Sequence, residues 1–318
     1  MAVNYFQEDY PELAKQLTKV SALMKKNISL KNEAVKAAID DIFDAGGKML
    51  RPAYLLLFSE FTKLSAKQKY SLAAAVEMLH TATLVHDDII DQADKRRNTP
   101  TISSKYGGDV AVYAGDYLFI TVFRLLSDNN LSLENLSRLT KSIQKLLNGE
   151  LGQMNKRFNL AQDLDDYIDN ISGKTGELFG LAMALPVLAD GQTKLANLAY
   201  SIGLNIGIAF QIMDDYLDYK ADTATLGKPV LEDIGEGIYT APVLYALKRE
   251  PEIAQEIIDA EAFEKMIALV YESGALAETK KLAESYTKKA LSGIKKLPKG
   301  AAADKIAAIT SQLLERVL

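Results

Sequence analysis

The sequence predicts an all-α fold, one domain of ten or more helices over residues 1–318. Three observations carry that expectation. Apolar residues recur at spacings of three and four along Leu72–Ile90, Leu133–Met154 and Leu195–Leu217. No run alternates apolar and polar residues as a half-buried strand does. The prolines punctuate this pattern: Pro52 suits a first helical turn, Pro186 falls near a helix end, and Pro100, Pro229, Pro242, Pro251 and Pro298 lie between periodic segments.

Composition narrows the class. With 48% hydrophobic and 25% charged residues the chain has enough apolar material for a sizeable core. A formal charge of -5 argues against a nucleic-acid partner, which calls for a basic field. No cysteine is present, so thiolate metal sites, disulfides and cysteine nucleophiles are excluded. Residues 1–11 carry Glu8 and Asp9 and lack the apolar stretch of a signal peptide. The uncharged stretch Leu178 to Ala189 is shorter than the ~20 residues a spanning helix needs. These features lead to the expectation of a cytoplasmic protein without a transmembrane segment.

Taken in chain order, the first unusual stretch is Gly46-Gly47-Lys48-Met49-Leu50-Arg51-Pro52, a glycine break that opens a helix. Backbone N–H groups at such a start, with Lys48 and Arg51, suit an anion. The next helix carries both histidines of the chain, His80 and His86, and ends in Asp87-Asp88-Ile89-Ile90-Asp91. Asp87 and Asp91 project from one face about 6 Å apart along the axis, with Asp88 beside them. Arg96-Arg97 follows. Ser172-Gly173-Lys174-Thr175-Gly176 then interrupts a helical pattern, either as a plain turn or as a break whose carbonyls face a positive charge. The last long periodic segment ends in Asp214-Asp215-Tyr216-Leu217-Asp218, and Lys228 follows ten residues later.

Either aspartate cluster alone reads equally as a solvated helix face. Leu84, Val85, Ile89 and Ile90 surround the first, however, and Phe210, Ile212, Met213 and Leu217 the second. Acid triplets within apolar helices favour the lining of a cavity, with carboxylates on both walls if the two helices face each other. Hard oxygen donors in this number suit Mg²⁺.

These residues resemble the trans-prenyl diphosphate synthase family from Gly46 to about Leu247. The ordered motifs are GGK-x-LRP, Glu77-x-x-His80, HDDxxD, Arg-Arg, Gly115-Asp116, Lys-Thr, and Phe210-Gln-x-x-Asp-Asp-x-x-Asp218. The resemblance implies an antiparallel helical bundle around a deep central cavity, assembled as a homodimer or with a small partner subunit. It implies Mg²⁺-dependent condensation of isopentenyl diphosphate with an allylic diphosphate. Lys48, Arg51, His80 and Arg97 would bind the isopentenyl diphosphate. Arg96, Lys174, Gln211 and Lys228 would bind the allylic diphosphate, with Thr175 beside the reacting carbon. Asp87, Asp91 and Asp214 would ligate metal directly, supported by Asp88, Asp215 and Asp218.

Ile238 stands where the family often has lysine, Leu231 where it often has a small or polar residue, and Asn98 where it often has glycine. Product length should depend on the level below Asp87, where Thr83 lies one turn deeper and Leu79 two, with Ala82 beside them. No bulky aromatic stops elongation there, so a long chain in the quinone side-chain range is expected, with peripheral membrane contact on release. The alternatives are a farnesyl- or geranylgeranyl-length product if Tyr113, Phe119 or Phe123 forms the floor, a terpene cyclase, or a non-catalytic partner subunit. The intact second cluster disfavours the last two.

Overall fold

A computed structural model describes residues 4–96, 99–129, 131–220, 233–259 and 262–314. The chain divides into two compact units, Met1–Ser137 with Ala182–Ala199, and Arg138–Leu181 with Tyr200–Leu318. Both are helical.

The first unit begins with α1 (Asn4–Gln7), α2 (Pro11–Lys26), α3 (Glu33–Ala45), α4 (Leu50–Phe58) and α5 (Ala66–Ile90). A short hairpin pairs Lys95–Arg96 with Thr99–Pro100, opposing Arg96 to Thr99, and leads into α6 (Ile102–Tyr106) and α7 (Gly108–Ser127). Local chemistry sets these starts. Asn32 accepts from the N–H groups of Ala34 and Val35 at the head of α3. Ser65 and Gln68 cap α5 reciprocally, which satisfies two of the donors a helix start leaves open.

α5 is the axis of this unit and packs on α2, α4 and α7. Leu72 to Val76, Met78 and Leu79 are at most 1% exposed and Glu77 is buried among them, so this stretch is buried around its whole circumference. Each such leucine or methionine contributes about 1.5–3 kcal/mol on burial. That is why periodicity identifies the helix but not one wet face. The burial also fixes the axial position of whatever the helix carries at its end.

The second unit is built from α8 (Leu133–Lys156) onward: α9 (Leu164–Ile171), α10 (Glu177–Ala189), α11 (Thr193–Asp218), α12 (Ala241–Arg249), α13 (Pro251–Asp259), α14 (Phe263–Glu272), α15 (Ala275–Ile294) and α16 (Ala301–Leu314). Part of α8, α10 and α11 belongs to the first unit. Its core gathers Tyr167, Ile212, Met213, Tyr216, Tyr219, Val243 and Met266. Pro242 and Pro251 lie in the first turns of α12 and α13, and Pro186 lies inside α10 near its end.

Between α9 and α10 the chain does not break. Ser172–Gly176 forms a π-helical turn in which the Glu177 N–H reaches back five residues to the Ser172 carbonyl. Glycines make room for it. A side chain at Gly149 would place its Cβ 2.6 Å from the Lys174 nitrogen, and one at Gly207 would meet the Gly176 Cα at 2.7 Å.

Candidate active site

In the first unit the chain turns tightly before α4. Gly46 has φ 57°, and Met49, the residue preceding α4, has φ 51°. A methionine in the left-handed region costs about 1–2 kcal/mol, a strain that clusters at functional sites. The turn leaves Lys48 exposed, its Nζ 5.9 Å from the Tyr5 ring centroid, and Arg51 half-buried in the first turn of α4. Lys48 and Arg51 are thus presented at the positive end of a helix dipole. His80 is half-buried on α5.

The first aspartate cluster occupies the last turn of α5, and Asp91 itself is the residue that closes the helix. Asp88 is 3% exposed, and Arg96 donates from Nε to its Oδ1 at 2.6 Å. Burial raises the Asp88 pKa, Arg96 opposes the rise, and Asp91 adds to it. Arg96, in the first strand of the hairpin and paired with Thr99, thus reaches back eight residues to the end of α5. His86 stacks on Phe119 at 5.8 Å and lies 3.5 Å from Asp116. Among the chain-length residues Leu79 and Ala82 are buried, while Thr83 is half-exposed.

In the second unit the other cluster likewise ends its helix, α11. Asp215 is 7% exposed and is held by two donors, the Tyr167 hydroxyl at 2.6 Å and the Gln211 side-chain amide at 2.9 Å. The Gln211 carbonyl in turn accepts from the Thr175 hydroxyl at 2.7 Å. One hydrogen-bonded chain therefore joins the second aspartate motif to the π-turn. Burial, reinforced by Asp215, pushes the Tyr167 pKa well up, so its hydroxyl stays protonated and donates. Lys174 reaches Glu150 at 3.0 Å and Gln153 at 3.2 Å. Arg97, Asn98, Lys228 and Leu231 lie outside the described residues.

Tyr167, Glu150, Gln153 and Asp233 are the neighbours that sequence reading missed. A usable signal existed for two of them: Glu150 and Gln153 sit three apart on the polar side of an amphipathic helix, the spacing that meets one partner. Asp233 carried no local signal, because its surroundings come from α11. Burial, with repulsion from Asp215 and Asp218, pushes its carboxyl up to about 7. Burial likewise pushes Asp215 up to about 6 and raises Asp218.

These carboxyls hold protons more tightly folded than unfolded, so in metal-free protein their protonation adds stability as pH falls from about 7 toward 5, and that stability is lost as pH rises through 6 to 7. In EDTA the Tm of Asp233→Asn should vary less across this window than the wild-type Tm. Parallel Tm–pH curves would contradict the assigned repulsion.

The donors present fit a hard divalent cation. Each cluster consists of carboxylates at the negative end of a helix dipole, and in the second the crowding is unfavourable until positive charge arrives. Among the described residues no three acidic or histidine side chains converge in a ready-made cage. Mg²⁺ does not require one, because it takes one or two carboxylates plus phosphate oxygens and waters.

Comparison with known proteins gives a consistent result. The polyprenyl synthetase family model matches residues 32–272. A prenyl transferase of Cyanophora paradoxa is 34% identical over 92% of this chain and 93% of its own. Heptaprenyl diphosphate synthase component 2 of Bacillus subtilis is 31% identical, covering 99% and 90%. The crystal structure of a geranylgeranyl pyrophosphate synthase from Lactobacillus brevis superposes with a TM-score of 0.93 at 33% identity, covering 98% and 99%.

Proposed function

The chain belongs to the polyprenyl synthetase family and is a prenyltransferase that elongates trans-prenyl diphosphates, and on that premise we propose that it condenses isopentenyl diphosphate with an allylic diphosphate, with Mg²⁺, into a long-chain polyprenyl diphosphate. The observation that carries the metal-dependent part is the pair of carboxylate clusters at the negative ends of α5 and α11.

In the first unit Lys48, Arg51 and His80 bind isopentenyl diphosphate, with Arg97 beyond them in the chain. Arg96 both pairs with Asp88 and offers charge to the allylic diphosphate. In the second unit Lys174 and Gln211 bind the allylic diphosphate, joined by Lys228, and Thr175 lies beside the reacting carbon. Asp87, Asp91 and Asp214 would hold the metal, with Asp88, Asp215 and Asp218 supporting ligands and waters. When bound, Mg²⁺ neutralises the diphosphate and so favours its departure as a leaving group. The basic residues stabilise the same developing charge. In this scheme carbonyls of Lys174 and Thr175 would stabilise the allylic cation, the isopentenyl double bond attacks it, and the proton lost leaves to the released diphosphate. Apolar walls keep water from quenching the cation.

Labelled isopentenyl diphosphate and farnesyl diphosphate, with and without Mg²⁺, test the reading. Products longer than geranylgeranyl that require Mg²⁺ support it, and no elongation refutes it. The superposition on a geranylgeranyl synthase favours a second reading, a four-unit product. Thr83, half-exposed one turn below Asp87, decides between them through its size. In a long-chain enzyme Thr83→Phe should shorten the main product by at least one isoprene unit. An unchanged product ladder would place the floor elsewhere.

A long polyprenyl diphosphate is a membrane-seeking molecule suited to quinone side chains, handed over at a membrane surface from a cytoplasmic enzyme. Self-association is supported by Val112, Tyr113, Ile120 and Phe123, all exposed on α7, although a small partner subunit would cover the same kind of face. Light scattering of the purified chain distinguishes these.

A further inference from the structure

Glu177 is out of place chemically. The residue is 3% exposed and is followed by the apolar run Leu178 to Leu185. Oε2 accepts a hydrogen bond from the Tyr200 hydroxyl and lies 3.6 Å from Lys145 Nζ, which itself donates to the Tyr200 oxygen at 3.1 Å. Oε1 is buried with no hydrogen-bond partner. A buried acid with one oxygen unsatisfied costs stability, and none of the roles above uses it.

Its position supplies a reason. The Glu177 N–H closes the π-turn, and its carboxylate ties that turn to α8 through Lys145 and to α11 through Tyr200. One turn further along α8, Gly149 lets the backbones touch at Lys174, and the next residue, Glu150, pairs with Lys174 Nζ. So α8 presents a cation, a gap and an anion, while the π-turn and the residue that closes it present the opposite signs, Glu177 to Lys145 and Lys174 to Glu150. Sliding α8 by a turn would break both pairs. Hydrogen bonding to Tyr200, aided by Glu177 and opposed by burial, raises the Lys145 pKa and keeps it charged.

We propose that Lys145, Glu177 and Tyr200 form a positioning clamp that holds the π-turn in one register on α8 and α11, and so sets where Lys174 and Thr175 meet the allylic diphosphate. The inference rests on the roles proposed above for Lys174 and Thr175. None of the three clamp residues touches substrate in this scheme. Each acts through the turn.

Steady-state kinetics and Tm of Glu177→Ala, Glu177→Gln and Lys145→Ala, with Lys174→Ala as reference, test it. Glu177→Ala should lower kcat about tenfold and raise KM for the allylic substrate several-fold, leaving KM for isopentenyl diphosphate unchanged, as misplacement of a positioning group does. Glu177→Gln keeps an acceptor for Tyr200 and should recover most of the loss. Lys145 is 60% exposed, so Lys145→Ala retains the fold and should show the same one-sided KM effect even if Glu177→Ala does not fold.

If Glu177→Ala and Lys145→Ala match the wild type while Lys174→Ala raises the allylic KM, the clamp is wrong and the role of Lys174 stands. If Lys174→Ala leaves that KM unchanged, the reading of Lys174 fails first. Losses in kcat and in both KM values that track Tm, with no rescue by glutamine, would make the triad a stability feature only and overturn the proposal.

Discussion

Asp87→Ala should lower kcat by at least ~10²-fold, a loss of about 2.7 kcal/mol of transition-state stabilisation. The size follows from where the residue sits. Asp87 is in the last turn of α5, a helix whose middle is buried on every side, so the carboxylate cannot be replaced by a neighbour shifting along the axis. Asp88 cannot substitute, because it is committed to Arg96 at 2.6 Å. Asp91 remains, but a cation held by one fewer carboxylate compensates less of the leaving diphosphate's charge, and that deficit appears in the transition state. The decisive measurement is kcat at saturating Mg²⁺, alongside Mg²⁺ affinity by calorimetry with a diphosphate present. Near-normal turnover would remove Asp87 from the metal set.

Gly203→Val should have the largest effect on folding. A glycine inside α11 sacrifices about 1 kcal/mol of helix propensity relative to alanine, so its presence needs a reason. The reason is backbone contact. A Cβ at this position would collide with the Phe179 carbonyl and lie 2.8 Å from the Gly180 Cα, atoms that no rotamer change can move. Overpacking of this kind costs about 1–3 kcal/mol and occasionally more. A Tm lower by about 2–5 °C is expected, read by calorimetry. Gly191→Ala gives the contrast: with nothing within 4 Å of its added Cβ it meets only the penalty of a positive φ. Equal shifts in the two variants would mean that the contact does not govern packing there.

The helices carrying the aspartate clusters were legible because their period is strong, and both clusters end them as the residue pattern suggests. The hairpin that carries Arg96, the partner of Asp88, was not. Its strands are two residues each, too short to alternate, and only pairing across the turn reveals them. Ser172–Gly176 was visible as an interruption, but two glycines signal a break as readily as a bulge. Only the fit of α8 and α11 around the backbone selects the π-turn. Asp233 and Tyr167 illustrate the same limit: what makes each of them matter is a partner nearly twenty or nearly fifty positions away along the chain.

That bulge also resets the angular count along the chain. One residue more than the α-helical repeat allows amounts to a phase slip of about 100°, so the row of side chains that α9 extrapolates is not the row that α10 continues. A helical wheel drawn through Leu164 to Ala189 as one rod would put Glu177 and everything after it on the wrong side. Deleting a single residue in this stretch should therefore leave a better helix and a worse enzyme. The defect works as an indexing step, and regularity here would come at the expense of aim.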